Sequence, residues 1–386
     1  MDTEPYRGSA AIIGIGSTAI SRASGVSVAE LGVRAVQDCV RDAGIKISDI
    51  DGMVIYGVGD TVSCRELAET LGLGTLKWYS DIQEGGPGLV QSVITAALAV
   101  DHRMANNVVV VRAMNGRSGT RIGRHHSASV AAGRKQWTVP FGYGIPAQMF
   151  ALWAQRHMHE YGTTSEDLGR VAVTMRKHAQ LNPNALMNGI PLTLTEHQSS
   201  RMISTPFRLL DCCLEADGAG AVLVARPATD HSSAWVPIKI RAGSVGAGRG
   251  AASPYLLWED LTRLHAASIA ESTFRAADVS LSDIGLAQLY DAFSFFVICQ
   301  LEDLGFVPKG EGAGFIGDGN IELGSKLPVN TNGGLLSEGY LHGINNLIEA
   351  IRQLRGAANA RQIEGLEIAV VTGFGGACDG LLVLSR

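Results

Sequence analysis

The sequence predicts an α/β fold made of two copies of one strand-and-helix unit, and three observations carry that prediction. The first is an internal repeat: Ala43, Ser48, Asp49, Ile50 and Tyr56 recur at a constant offset as Ala277, Ser282, Asp283, Ile284 and Tyr290. The second is that each copy continues in the same way, through a glycine turn, a helix and a further strand. The third is composition. Hydrophobic residues make up 46%, charged residues only 18%, and there are 47 glycines, which suits a heavily buried chain with many tight turns.

In order along the chain, an amphipathic stretch at 27–42 precedes the first repeat and 259–276 precedes the second. Each repeat leads into an apolar strand ending at Tyr56 or Tyr290. Glu84-Gly85-Gly86-Pro87-Gly88 then opens a helix at about 89–105 and a strand at 107–112. In the second half Asn332-Gly333-Gly334 opens a segment with a helix near 343–355 and a strand at 367–372. A polar stretch bounded by Pro227 and Pro237 separates the halves, which gives an N-terminal unit at 1–228 and a C-terminal unit at 235–386.

The first unit carries an insertion at about 116–211 with no counterpart in the second. Insertions on a rigid scaffold commonly form binding surfaces. From His102 to His159 there is no Asp or Glu, but there are Arg103, Arg112, Arg117, Arg121, Arg124, Arg134, Lys135 and Arg156. The pattern predicts a local cationic surface suited to an anionic ligand.

Several function classes are excluded. The net charge of −5 is too mild to imply nucleic-acid binding. The first residues are acidic where a signal peptide is basic, and the apolar run at 93–100 is too short to span a bilayer. A soluble, cytoplasmic protein is expected. Cys39, Cys64, Cys212, Cys213, Cys299 and Cys378 form no metal spacing, so reduced and mostly buried thiols are expected, and no metal. Gly14-Ile15-Gly16-Ser17-Thr18-Ala19 fits a dinucleotide fingerprint, but the helix begins only near Ser27, too late to meet a pyrophosphate. His157 and His159 lie on different faces of a helix running from Pro146, and His125-His126 fall in the cationic loop. Cys212-Cys213 are expected to be buried beside the turn into a strand at 220–225.

The order of several motifs resembles the thiolase superfamily, in particular its lipid-transfer-protein-type branch. They are Pro140-Phe141-Gly142-Tyr143, His178-Ala179-Gln180-Leu181-Asn182-Pro183, the segment from Leu210 to Ala219, Tyr290-Asp291-Ala292-Phe293, 332–340 and 373–380. The resemblance implies a five-layer α-β-α-β-α thiolase fold, two mixed sheets from duplicated halves with an inserted loop domain. It also implies a homodimer and, in this branch, a small partner of the DUF35 type (an OB-fold with a zinc ribbon). The CoA phosphates would lie near Arg121, Arg124, Arg134 and Lys135.

The departures from the family pattern carry the chemistry. Gly85 falls at the nucleophilic cysteine position, so no acyl-enzyme can form there. Phe374 falls at the second cysteine, Tyr340 at the histidine of the family's Gly-His-Pro motif, and Tyr290 at the Asn or His that opens the other. Two phenols replacing catalytic groups resemble the bacterial steroid side-chain aldolases. These cleave a β-hydroxy acyl-CoA into a ketone and a shorter acyl-CoA, such as propionyl-CoA from a 17-hydroxy steroid side chain. Retro-aldol cleavage moves a proton off the β-hydroxyl, passes through a thioester enolate, and protonates the α-carbon. It needs no nucleophile and no cofactor beyond the CoA of the substrate. Tyr290 and Tyr340 are expected to divide the base and acid roles, with Tyr290 favoured as base and the order left open. Asp291 and His342 are expected to orient or polarise them, and backbone N–H groups near Gly85 and Gly376 to hold the oxyanion. Two other readings stay open: a non-catalytic acyl-CoA- or lipid-binding subunit, and residual acyl transfer through Cys378 or Cys64.

Overall fold

The structure is a computed structural model, and it describes residues 4–119, 121, 132–227, 235–249, 251, 258–374 and 376–386. Nine strands form one sheet. They are β1 (Ala11–Ser17), β2 (Gly52–Gly57), β3 (Trp78–Gln83), β4 (Asn107–Asn115), β5 (Asp217–Ala225), β6 (Ile238–Ala247), β7 (Leu286–Gln288), β8 (Ile368–Phe374) and β9 (Cys378–Ser385), in the order β3-β2-β4-β5-β1-β6-β9-β8-β7. The repeat is visible in this order. The parallel pair β2/β4 continues through antiparallel β5 and β1, and the parallel pair β7/β8 continues through antiparallel β9 and β6.

The expected two sheets are hydrogen-bonded into one at a single short junction, where Ala11 and Ile12 of β1 face Lys239 and Ile238 of β6. The short turns after the first helix of each half also repeat. Asp49 accepts the Lys46 N–H at 2.9 Å, and Asp283 accepts the Ser280 N–H at 2.8 Å.

Helices fill the three α layers. Outside, α1 (Val28–Ala43) packs on β1, β4 and β5. It begins where Ser27 Oγ accepts the Glu30 N–H at 3.1 Å, a cap worth about 1 kcal/mol, and ends at Gly44, whose φ of 68° suits glycine. In the middle, α2 (Gly86–Asp101) touches strands of both halves and is apolar nearly all round, with Gln91 and Leu98 exposed along one side. It starts three residues earlier than the apolar periodicity suggests, because Pro87 is well placed in a first helical turn. On the far outside, helix Ala266–Ala277 packs on β6 and β9. Helix Ile344–Arg355 joins α2 in the middle layer against β5, β7 and β8. The insertion contributes helices Pro146–Tyr161 and Ser165–Gln180. Among the described residues no helix is long and apolar enough to cross a membrane.

Candidate active site

The two tyrosines singled out by the sequence meet: their hydroxyl oxygens lie 2.7 Å apart and their rings stand edge to face at 6.2 Å. Both are buried, Tyr290 at 3% and Tyr340 at 8% exposure. Tyr290 follows β7 and is held at every backbone atom it offers. Its N–H donates to Thr372 Oγ1 (2.8 Å), its carbonyl accepts from Gln300 Nε2 (3.0 Å), and Thr372 in turn donates to Gln300 Oε1 (2.5 Å). The preceding Leu289 is clamped by Asn330, which accepts its N–H at 2.7 Å and donates to its carbonyl at 2.8 Å.

Tyr340 sits in a loop braced from beneath. Its N–H donates to the Leu214 carbonyl at 2.7 Å. Buried Glu338, two residues before it, accepts from Asn182 (2.8 Å), Asn332 (2.6 Å) and Asn345 (2.7 Å). The His178–Pro183 motif is therefore a brace for both loops, because His178 Nδ1 lies 3.2 Å from the Asn330 carbonyl while Asn182 holds Glu338. A helix turn of Gly334–Ser337 lies between.

Asp291 serves that turn. Its carboxylate accepts the N–H groups of Leu335 (2.8 Å) and Leu336 (3.3 Å), and no hydrogen bond joins it to either tyrosine hydroxyl. Burial raises its pKa to about 6 against these opposing bonds. Its place is beneath the site, holding backbone, rather than polarising a phenol.

His342 stands beside Tyr340 with ring centres 4.8 Å apart, in a left-handed backbone conformation at φ 51°. Its Nδ1 lies 3.0 Å from Arg112 Nε and 2.6 Å from Nη2, and Arg112 Nη2 also donates to Asp60 Oδ2 at 2.6 Å. Arg112 is fully buried, which corrects its place in the expected cationic surface. Burial and the guanidinium charge push His342 down to about 3, against the pull of Asp60. Sequence reasoning missed Asp60 and Arg112 as site residues. The available signal was an arginine inside the apolar strand run Val108-Val109-Val110-Val111-Arg112-Ala113-Met114, a place where charge must be partnered.

Burial pushes both phenols well above the usual tyrosine range. For Tyr290 the neighbouring Tyr340 adds to it. For Tyr340 the Cys213 thiol adds to it, while the Tyr290 hydrogen bond and Arg112 pull the other way.

The glycine turn beneath them is tightly packed. A Cβ on Gly86 would lie 2.0 Å from the Phe374 carbonyl oxygen and 2.8 Å from Tyr290 Cζ. One on Gly85 would have 3.7 Å to His342 Nε2 and 3.7 Å to Val58 Cγ1. The Gly85 N–H lies 3.3 Å from Glu84 Oε1, so the expected oxyanion donor is bonded to its own neighbour. Gly376 is buried with φ 94°. Phe374 packs against Phe296 and Phe150 at 4.0 and 5.7 Å, with no polar group to exchange protons.

The thiols are poor nucleophiles. Burial, Glu84 and Asp379 push Cys378 up to about 11. Burial also raises Cys64, inside a pocket of backbone carbonyls. Cys212 and Cys213 are partly buried, and the Cys213 N–H donates to the Ala292 carbonyl at 3.0 Å. His157 is a core residue between Thr163 and Glu302, each at 2.9 Å.

Of the expected phosphate contacts, Arg121 is ion-paired with Glu215 and Lys135 is exposed on the turn Gly133–Trp137. Arg124, the Arg134 side chain and His125-His126 lie outside the described residues.

A duplicated five-layer α/β architecture, with its site at the glycine turn between the halves, defines a thiolase-type protein. The chain belongs to the thiolase superfamily: residues 253–385 match the family described as Thiolase C-terminal domain-like, and two curated relatives cover nearly all of it. It is 40% identical, over 97% of its length and 98% of the relative's, to the steroid side-chain-cleaving aldolase of Thermomonospora curvata. It is 39% identical, over 97% and 99%, to the 17-hydroxy-3-oxo-4-pregnene-20-carboxyl-CoA lyase of Mycobacterium tuberculosis. Among solved structures, the Ltp2-ChsH2(DUF35) aldolase superposes with a TM-score of 0.91 at 40% identity, covering 98% of each chain.

Proposed function

We propose that this protein cleaves the side chain of a β-hydroxy steroid acyl-CoA by a retro-aldol reaction, releasing a ketosteroid and a shorter acyl-CoA. The protein is a carbon–carbon lyase on CoA thioesters; a 17-hydroxy side-chain ester yielding propionyl-CoA is the substrate that its relatives' names favour. The observation that carries the reading is the 2.7 Å contact between the Tyr290 and Tyr340 hydroxyls at the turn where Gly85 replaces a nucleophile.

Retro-aldol cleavage consumes and releases the same proton: one leaves the β-hydroxyl and one arrives at the α-carbon. Two hydrogen-bonded neutral phenols suit that balance. Tyr340 takes the hydroxyl proton as the carbon–carbon bond breaks, its own proton passes to Tyr290, and Tyr290 delivers one to the enolate carbon. No phenolate has to persist, so pKa values raised by burial are no obstacle. Arg112 behind His342 favours charge on Tyr340 during the transfer. The roles assigned to Tyr290, Tyr340, Asp291 and His342, the absence of any cofactor, the homodimer and a DUF35-type partner belong to this proposal. So does CoA binding along the insertion.

The test is product analysis. The protein, with a DUF35-type partner, is mixed with a 17-hydroxy steroid side-chain CoA thioester in D₂O. A 17-ketosteroid and propionyl-CoA carrying deuterium at the α-carbon are expected. Tyr290→Phe and Tyr340→Phe should each slow formation by about 100- to 10,000-fold. Full activity in both variants would refute the mechanism.

A further inference from the structure

The arrangement of Arg112 and His342 fixes more than the place of a ring. A guanidinium can only donate hydrogen bonds, and two of its nitrogens, Nε and Nη2, lie 3.0 and 2.6 Å from His342 Nδ1. Nδ1 must therefore accept, and the neutral ring carries its proton on Nε2. The guanidinium is itself tied down, through Nη2 to Asp60 Oδ2 at 2.6 Å and through Nη1 to the Ala113 carbonyl at 2.8 Å. The backbone of the histidine is anchored too, since Tyr56 Oη donates to the His342 carbonyl at 3.0 Å. No described residue takes a hydrogen bond from Nε2, and that atom lies 3.7 Å from where a Cβ on Gly85 would stand. The missing side chain at Gly85 thus leaves a space with an N–H donor at its edge, beside the Tyr340 ring. Meanwhile the nearby backbone N–H of Gly85 is engaged by Glu84.

We infer that His342 Nε2–H, held in that tautomer by Arg112 and Asp60, donates a hydrogen bond to the thioester oxygen of the substrate in the space over Gly85. His342 is then a catalytic residue, an oxyanion donor, and Arg112 and Asp60 are positioning residues that act through it. The inference rests on the retro-aldol reading, because charge develops on the thioester oxygen as the enolate forms. A donor that stays neutral suits this task. A fully protonated imidazole next to Tyr340 would weaken the phenol oxygen as an acceptor of the hydroxyl proton.

The experiment uses the assembled protein and acetyl-CoA labelled with ¹³C at the thioester carbonyl, followed by difference infrared spectroscopy. Bound probe should show its carbonyl stretch moved to lower frequency than in water-free solvent. His342→Asn is the decisive variant: asparagine tolerates the left-handed backbone, and its amide oxygen can still accept from Arg112, but nothing then reaches the space over Gly85. The shift should vanish in His342→Asn while the probe still binds. Arg112→Gln, which can accept from Nδ1–H and so permits the other tautomer, should shrink it. Cleavage by His342→Asn should fall about 100- to 1,000-fold in kcat with KM little changed. A shift that persists in His342→Asn, or is absent in the parent protein, overturns the inference. Tyr290→Phe should keep the shift while losing cleavage. Absence of the shift in the parent protein, with cleavage still dependent on the tyrosines, would sink this inference and leave the proposed function standing.

Discussion

Adding one methyl group at Gly86 should disable the protein in a way that can be worked from its geometry. The added Cβ would stand 2.0 Å from the Phe374 carbonyl oxygen, and a carbon–oxygen contact needs about 3.3 Å. More than an ångström of movement is required, and the obstacle is backbone at the end of β8 rather than the tip of a flexible side chain. The other neighbour, Tyr290 Cζ at 2.8 Å, is the ring carbon that bears the reactive hydroxyl. Relief on either side opens the 2.7 Å contact with Tyr340. Overpacking a filled core costs about 1–3 kcal/mol, so Gly86→Ala should lower the urea midpoint and reduce kcat at least tenfold. Gly314→Ala is the control: it has nothing within 4 Å and lies in a helix of Gly312–Gly317, where alanine is neutral or stabilising by about 0.4–1 kcal/mol. A Gly86→Ala protein as stable and as active as its parent would refute the packing argument for the turn.

Thr372→Val keeps shape but leaves the buried Tyr290 N–H unpaired; it should cost about 1–3 kcal/mol and lower kcat more than it raises KM in steady-state assays. Asp291 has a folded pKa of about 6 against 3.8 unfolded, so between those values the folded state holds the extra proton. Stability from this group is then full below about pH 4 and lost as pH rises through 6, by about 3 kcal/mol. Urea titrations of Asp291→Asn against the parent should show their difference changing across that window and flat above it. Iodoacetamide at pH 8 should leave most cleavage activity intact, because alkylation needs a thiolate and Cys378 is pushed up to about 11, with Cys64 higher still. Rapid inactivation would return acyl transfer to consideration.

Much of the architecture was legible because it is a repeat. Matching turns such as 46–49 and 280–283 fold locally through the same Asp side-chain bond, and the strands after them inherit the same pairing. The tyrosine pair was legible by another route, because Tyr290 and Tyr340 stand where the resembled family carries catalytic groups; the repeat equivalents Tyr56 and Tyr290 both reach the 340–342 loop, one at the His342 carbonyl and the other at the Tyr340 hydroxyl. What stayed hidden depends on long-range packing. Arg112 counted as surface charge because a charge tally cannot distinguish an arginine in a central strand from one in a loop. Its partners Asp60 and His342 are remote in sequence, the latter by 230 residues. Asp291 neighbours Tyr290 along the chain, yet its side chain points to the turn at Leu335 and Leu336. Sequence adjacency on an extended segment puts neighbours on opposite sides.

The central claim is that Tyr290 and Tyr340 form one proton relay, and a double-mutant cycle tests it most directly. Rates of ketone release are measured for Tyr290→Phe, Tyr340→Phe and the double variant under saturating substrate. Groups that act as a unit are strongly non-additive, so the account predicts that the double variant is scarcely slower than the slower single. A double variant whose loss equals the product of the two single losses would contradict it, and would mean that the phenols act independently.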